Sequence, residues 1–269
     1  MATVILQDHR SLYLENILNT FIGSTPRNLY LGIGRVASWP NEASPPIPVN
    51  TIDEKSDFFN DIIAAQLVTQ ANIAAVVRRI DWSVGASFDL FDDDSDASFT
   101  TNFYVKNSEN NVYKVETKIP GSVTVNEPLG TGNGAPIDTA DGYTWSFLYN
   151  IEGTLEALIT NNWMPVTYDS TVTTEQTADG DPMAFRTLGT NHMIIQSQVS
   201  DPVISESIVY RQLALLVDIT NNSDVLLTGS AELAANIKNS GYMLHIENRK
   251  PIARDAGQTE TFQTILKIF

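Results

Sequence analysis

Asp89, Asp92, Asp93, Asp94 and Asp96 form the densest set of side chains in this sequence able to hold a cation. Asp92, Asp94 and Asp96 have the 1-3-5 spacing of a calcium loop, in which alternate carboxylates converge on one ion. That loop also needs glycine at its sixth position and a bidentate acid at its twelfth. Here those positions are Ala97 and Phe103, so the loop is not an EF-hand. Asp92, Asp94 and Asp96 stay candidates for a looser cation site, against the plainer reading of a solvated acidic turn. A second match is Gly32-Ile33-Gly34-Arg35-Val36-Ala37, which fits the dinucleotide fingerprint with alanine at its last position. The fingerprint works only if a helix opens there and aims its N-terminus at a pyrophosphate. Trp39-Pro40 and Pro45-Pro46-Ile47-Pro48 forbid that helix. The glycines then read as a tight turn from a strand into an extended arm, and no cofactor is expected.

Other chemistry finds less support. His9, His192 and His245 are far apart and lack the HxxxH or HExxH neighbours of a metal site. The absence of cysteine removes thiol catalysis, thiolate zinc sites and disulfides together. No serine sits in a G-x-S-x-G elbow, and Gly130-Thr131-Gly132-Asn133-Gly134 lacks the Lys-Ser/Thr of a phosphate loop. Any two of the many carboxylates could serve a glycosidase, but nothing singles out a pair. No catalytic residue, metal or cofactor is assigned, and the chain is expected not to be an enzyme. The tryptophans are more informative. Trp39, Trp82, Trp145 and Trp163 each stand near a turn residue: Pro40, Gly85, Gly142 and Pro165. They read either as core at strand ends or as anchors of an interface, where Trp, Tyr and Arg dominate binding energy.

The elements that carry these residues are mostly strands. A helix is expected from Asp8 as N-cap to Gly23, with Leu12, Leu14, Ile17, Leu18 and Phe21 on its apolar side. A second helix begins near Asp53, with Phe58, Phe59, Ile62, Ile63, Ala65, Gln66 and Leu67 spaced for one broad buried face. Ile73–Ile80 fits a strand or a continuation of that helix. Strands follow at Phe103–Val105, Val112–Val115, Thr144–Ile151, Met193–Val199, Ser207–Ile219, Tyr242–Glu247 and Thr259–Phe269. In Thr144–Ile151, Trp145, Phe147, Tyr149 and Ile151 alternate with their neighbours, the mark of a half-buried strand. A short helix is expected at Thr154–Thr160, a long polar loop at Tyr168–Thr190, and an amphipathic helix around Ala231–Lys238. The fold class is α+β, predominantly β: antiparallel sheets in a sandwich-like core with a few peripheral helices. Residues 1–80 and 200–269 are expected to form a discontinuous core domain, with 81–199 as an inserted β-rich lobe.

The chain has 269 residues, 32 Asp and Glu against 16 Lys and Arg, and a net charge of −16. Such a field opposes phosphate-tracking surfaces, so nucleic acid and anionic membrane are excluded as partners. The start lacks the basic and apolar regions of an export signal, and no apolar run reaches the roughly 20 residues of a membrane span. Synthesis and assembly in a cytoplasm are expected.

Several segments, taken in order, resemble one family. They are Tyr30-Leu31-Gly32-Ile33-Gly34-Arg35 with Trp39 and the proline arm, then Asp81-Trp82-Ser83-Val84-Gly85 with Phe88-Asp89 and Asp92–Asp94. Next come Phe103-Tyr104-Val105, Asn111-Val112-Tyr113-Lys114, Thr139–Trp145, Asn162-Trp163-Met164-Pro165 and Tyr210-Arg211-Gln212. Last is Ile246-Glu247-Asn248-Arg249-Lys250-Pro251-Ile252 with Gln258-Thr259-Glu260. Together they look like the T4-type bacteriophage baseplate wedge protein, the gene eight product family of contractile-tailed phages. Trp39 precedes Pro40 where the family pattern has the reverse order, and Tyr168–Thr190 does not match.

The resemblance implies a β-rich structural subunit of the virion's tail baseplate. It would be a homodimer within a six-fold assembly, contacting other wedge proteins without catalysis. Arg35 and Arg249, in matched blocks beside turns, are expected to pair with carboxylates or carbonyls; Arg211 lies in a third such block. Asp92, Asp93 and Asp94 are expected to face a basic partner surface. Two other readings stay open: another virion position, such as neck or head decoration, and a cation-dependent carbohydrate-binding or hydrolytic protein.

Overall fold

The computed structural model describes residues 7–22, 26–49, 52–91, 104–166, 190, 192–199 and 206–267. In chain order the elements are α1 (Gln7–Ile22), β1 (Leu29–Gly34), α2 (Ile52–Asp61), β2 (Ile62–Leu67), β3 (Ile73–Arg78), β4 (Tyr104–Lys106) and β5 (Asn111–Lys118). Then follow β6 (Ile137–Asp138), β7 (Tyr143–Asn150), β8 (Trp163–Pro165), β9 (His192–Val199), β10 (Ile208–Val217), β11 (Ala231–Leu233), β12 (Tyr242–Arg254) and β13 (Glu260–Lys267). The sheets run β11-β2-β1-β10-β12, β13-β9-β3-β8 and β4-β5-β7-β6. The resolved pairings between these strands are antiparallel. This is the β-dominated α+β fold. Two compact units divide the chain: one takes Ser24–Gln70 and Gln196–Thr264, the other Met1–Gly23, Ala71–Ile195 and Ile265–Phe269.

In the first unit, β1 and β10 are buried along nearly their whole length, which suits strands covered on both faces. Their sequences, LYLGIG and IVYRQLALLV, are correspondingly apolar. The glycines of β1 have a packing reason. A Cβ on Gly32 would lie 2.9 Å from both Phe58 Cζ and Leu216 Cδ1, and one on Gly34 would lie 3.0 Å from Phe58 Cε2. Phe58 of α2 therefore sits directly against bare backbone, and no helix opens after Gly34. Tyr30, Phe58, Phe59, Ile62, Ala65, Ala214 and Leu216 close this core.

Two helix expectations are corrected here. The second helix stops at Asp61, and Ile62–Leu67 is strand β2, with Ala65 opposite Gly32. Branched Ile62 and Ile63 with small Ala64 and Ala65 fit the slot between β1 and β11, and the neighbouring strands override the helical spacing. Around Ala231–Lys238 the chain makes β11, paired to β2, and then a 3₁₀ turn at Ala234–Asn236.

In the second unit, α1 buries Leu14, Leu18 and Phe21 and packs beside β3. Asp8 lies within α1, which begins at Gln7, and is not its N-cap. Ile73–Arg78 is a strand, set off from β2 by a 3₁₀ turn at Gln70–Asn72. The expected helix after Thr154 is a 3₁₀ segment, Gly153–Leu158. The sheet β4-β5-β7-β6 carries an aromatic core of Phe88, Tyr113, Tyr143 and Trp145 with Val105 and Val115. Trp145 stacks on Tyr143 and meets Phe88 edge-on, each at 5.5 Å between ring centres. Among the described residues, no helix is long and apolar enough to cross a membrane.

Candidate functional site

Four of the residues singled out by sequence meet at one place, where residues 35–49 leave β1 and lie along β10 and β12. The turn begins at Arg35, which adopts a left-handed backbone (φ 58°) that a side chain tolerates only when held. Asp61 supplies the hold. Its carbonyl accepts the Arg35 backbone N–H at 2.9 Å, and its carboxylate accepts Nη1 at 3.1 Å. The Arg35 guanidinium then lies 3.9 Å from the centre of the Trp39 ring, a cation–π contact. Trp39 is nearly buried, and its Nε1 donates to the carbonyl of Arg249 at 2.9 Å.

That carbonyl is free for Trp39 because β12 departs from regular pairing there. Tyr210 faces Ile252 and Gln212 faces Asn248, so residues 249–251 bulge from the ladder. Pro251, which has no N–H to donate, sits in the bulge. The Arg249 side chain pairs with Glu247 at 2.8 Å and lies 5.5 Å from the Phe262 ring centre.

Arg211 of β10 is the deepest of the four, only 7% exposed. Nε donates to both carboxylate oxygens of Glu42, at 2.8 and 3.1 Å. Nη1 donates to the Val36 carbonyl, and Nη2 to Ser38 Oγ at 3.3 Å. One guanidinium thus ties the arm at three points, a task suited to its planar fork. Gln212 Nε2 donates to Asn248 Oδ1 at 2.8 Å, and Asn248 Nδ2 donates to the Pro46 carbonyl at 3.0 Å, completing the clasp. Beside it runs a shallow groove of about 490 Å³ lined by Pro45 and Glu247–Ile252.

The other candidates lie elsewhere. Trp145 is fully buried within its own sheet's core, where it packs and cannot reach a partner. Trp82 is half-buried against the same core, and its backbone N–H donates to the Lys106 carbonyl at 2.8 Å. Trp163, also half-buried, lies tilted against His192 at 4.6 Å between ring centres. Burial pushes the His192 pKa down to about 4, with a smaller push from the charge of Lys267. Asp89 is exposed and 3.9 Å from Lys118. Asp92, Asp93, Asp94 and Asp96, and residues 168–189 of the polar stretch, lie outside the described residues. No His, Cys, Asp and Glu cluster able to hold a metal occurs among the described residues.

Sequence reasoning missed Glu42, Asp61 and Asn248. Glu42 is 169 residues from Arg211, and nothing in either neighbourhood marks the pair. Surplus acid throughout the chain hid the two carboxylates that matter. Taken together, the arrangement can rigidify an extended arm; its charged groups are spent on one another.

Residues 160–268 match the model of a family described as "Baseplate wedge 3 tail fiber network component". The matched stretch carries Trp163, Arg211 and Arg249, two of the four clasp residues among them. No curated protein matches the chain. The similarity supports a structural role in a phage tail baseplate, in association with other baseplate proteins of the virion.

Proposed function

We propose that this chain is a non-catalytic wedge subunit of a contractile phage tail baseplate, of the gene eight product type, which bridges neighbouring baseplate proteins. It assembles in the host cytoplasm as a homodimer within a six-fold array. The match of residues 160–268 to a baseplate wedge family carries this reading. The clasp is consistent with it: a part that must hold shape between neighbours benefits from a segment fixed before assembly, because little ordering entropy is then lost on docking. Closed symmetry around a tail axis makes six or twelve copies the natural numbers. Imaging intact particles at side-chain resolution tests the proposal. The chain should fit density in the baseplate, each copy touching at least two other proteins. Density at the neck or on the head surface would overturn it.

A further inference from the structure

The clasp grips the arm through Trp39, Glu42 and Pro46, whereas other arm side chains stand in solvent. Ile47 and Val49 are 88% and 62% exposed, and Ile52, the first residue of α2, is 86% exposed. The Val49 N–H donates to Glu54 Oε1 at 3.0 Å, which sets the end of the arm against the first turn of α2. Three exposed branched apolar residues thus fall within the six positions 47–52. A single exposed isoleucine needs no explanation. Three within six positions, beside a segment stiffened by proline and tied by hydrogen bonds, offer an apolar knob to a partner.

Carboxylates collar this knob. Asp53 and Asp57 are exposed and four residues apart, on one face of α2. The helix has one base, Lys55, and it is engaged elsewhere: Nζ donates to the Gly241 carbonyl at 2.7 Å and lies 5.8 Å from the Phe59 ring centre. Among the described residues no lysine or arginine pairs with Asp53 or Asp57. Arg27, Arg35, Arg79, Lys106, Lys114, Arg211 and others are paired with this chain's own acids.

We infer that Ile47, Val49 and Ile52, collared by Asp53 and Asp57, dock into an apolar pocket rimmed by lysine or arginine on a different, neighbouring protein. The inference rests on the baseplate reading for the presence of that neighbour. Charge selects the occupant. A second copy of a chain at −16 meets the collar with like charge overall. A basic rim instead neutralises the collar and steers approach, while the pocket supplies the burial energy.

Competition during assembly tests this. Cells infected with phage would express wild-type chain and the I47S/I52S double variant in equal amounts, and their ratio in purified particles would be counted by mass spectrometry. Both side chains are exposed, so the purified variant should melt at the wild-type temperature. Each buried isoleucine contributes enough to shift affinity about ten-fold, so wild type should outnumber the variant by ten-fold or more. D53N/D57N should show a smaller bias in the same direction. Equal incorporation of I47S/I52S would overturn the inference. It would fall equally if I47S/I52S abolished self-association of the purified chain, because the occupant would then be a second copy. Neither form in particles would instead sink the baseplate reading, and with it the neighbour invoked here.

Discussion

Trp145 and Trp39 are both removed from solvent beside a turn, by opposite means. Around Trp145, in β7, the partners are rings and valines, and the nearby turn is tied locally. Asp141 Oδ2 accepts the N–H groups of Val125 and Asn126 at 2.7 and 3.1 Å, and Oδ1 accepts the Thr139 hydroxyl at 2.6 Å. Burial alone would raise the Asp141 pKa, but these donors outweigh it and leave the carboxyl below its usual range. Around Trp39 the partners are a guanidinium and a carbonyl, and the ties cross the chain from Glu42 to Arg211 and from Pro46 to Asn248. The first region holds itself by packing. The second is held by a few charged, geometrically demanding contacts, each of which has a specific partner to lose.

The contrast sets the order of expected mutational effects. Trp145→Ala should do most, because it empties a fully buried site beside Phe88 and Tyr143. A loss of about 3–5 kcal/mol is expected, read as a lowered midpoint in urea unfolding. A cost below that of a surface substitution would mean the ring core is not what stabilises this sheet.

Arg211→Ala comes next. It strands the Glu42 carboxylate and the Val36 carbonyl, but Glu42 is 34% exposed and water can reach it. The expected cost is roughly 1.5–3 kcal/mol, the range for hydrogen bonds to charged groups. The arm should also become cleavable between residues 36 and 49 in limited proteolysis. Arg211→Lys should not restore resistance, since an ammonium cannot serve Glu42, Val36 and Ser38 together. Full protection in the lysine variant would reduce the clasp to simple charge.

These contacts also show what can be read without coordinates. The alternation in Thr144–Ile151 is visible as a period of two, and it places Trp145 and Tyr149 in the buried set. The Gly32 and Gly34 pair is visible as a break, but its cause is not, because Phe58 comes from the following helix, 26 positions after Gly32 in sequence. Ile62–Leu67 has helical spacing and becomes a strand, since β1 and β11 offer two edges to pair with. Arg35 and Arg249 were marked by their turns, and the structure gives each a carboxylate. Arg211 was marked only by family resemblance. Long-range partner choice leaves no local signal.

Smaller effects sharpen the same comparison. Arg249 pairs with Glu247 where both are partly solvated, so Arg249→Ala should cost only about 0–1 kcal/mol by thermal melt. A larger loss would show that the bulge itself depends on the guanidinium. A separate handle is the pH response of the Trp163–His192 ring pair. The folded state holds His192 neutral down to about 4, whereas an unfolded histidine protonates near 6.5. The unfolded chain therefore binds the extra proton first, and this contribution to stability falls as pH drops from about 6.5 towards 4. Following the His192 ring protons by NMR checks the midpoint; titration near 6.5 in the folded protein would contradict it.

The central claim is that a clasped, acid-rich β chain serves as a wedge part of a phage tail. Counting its copies per particle tests that most directly, using isotope-labelled peptide standards on purified tails with and without their baseplates. Six copies, or a multiple of six, present only when the baseplate is present, is the expected result. Equal amounts in tails stripped of baseplates, or none in either, would contradict the account.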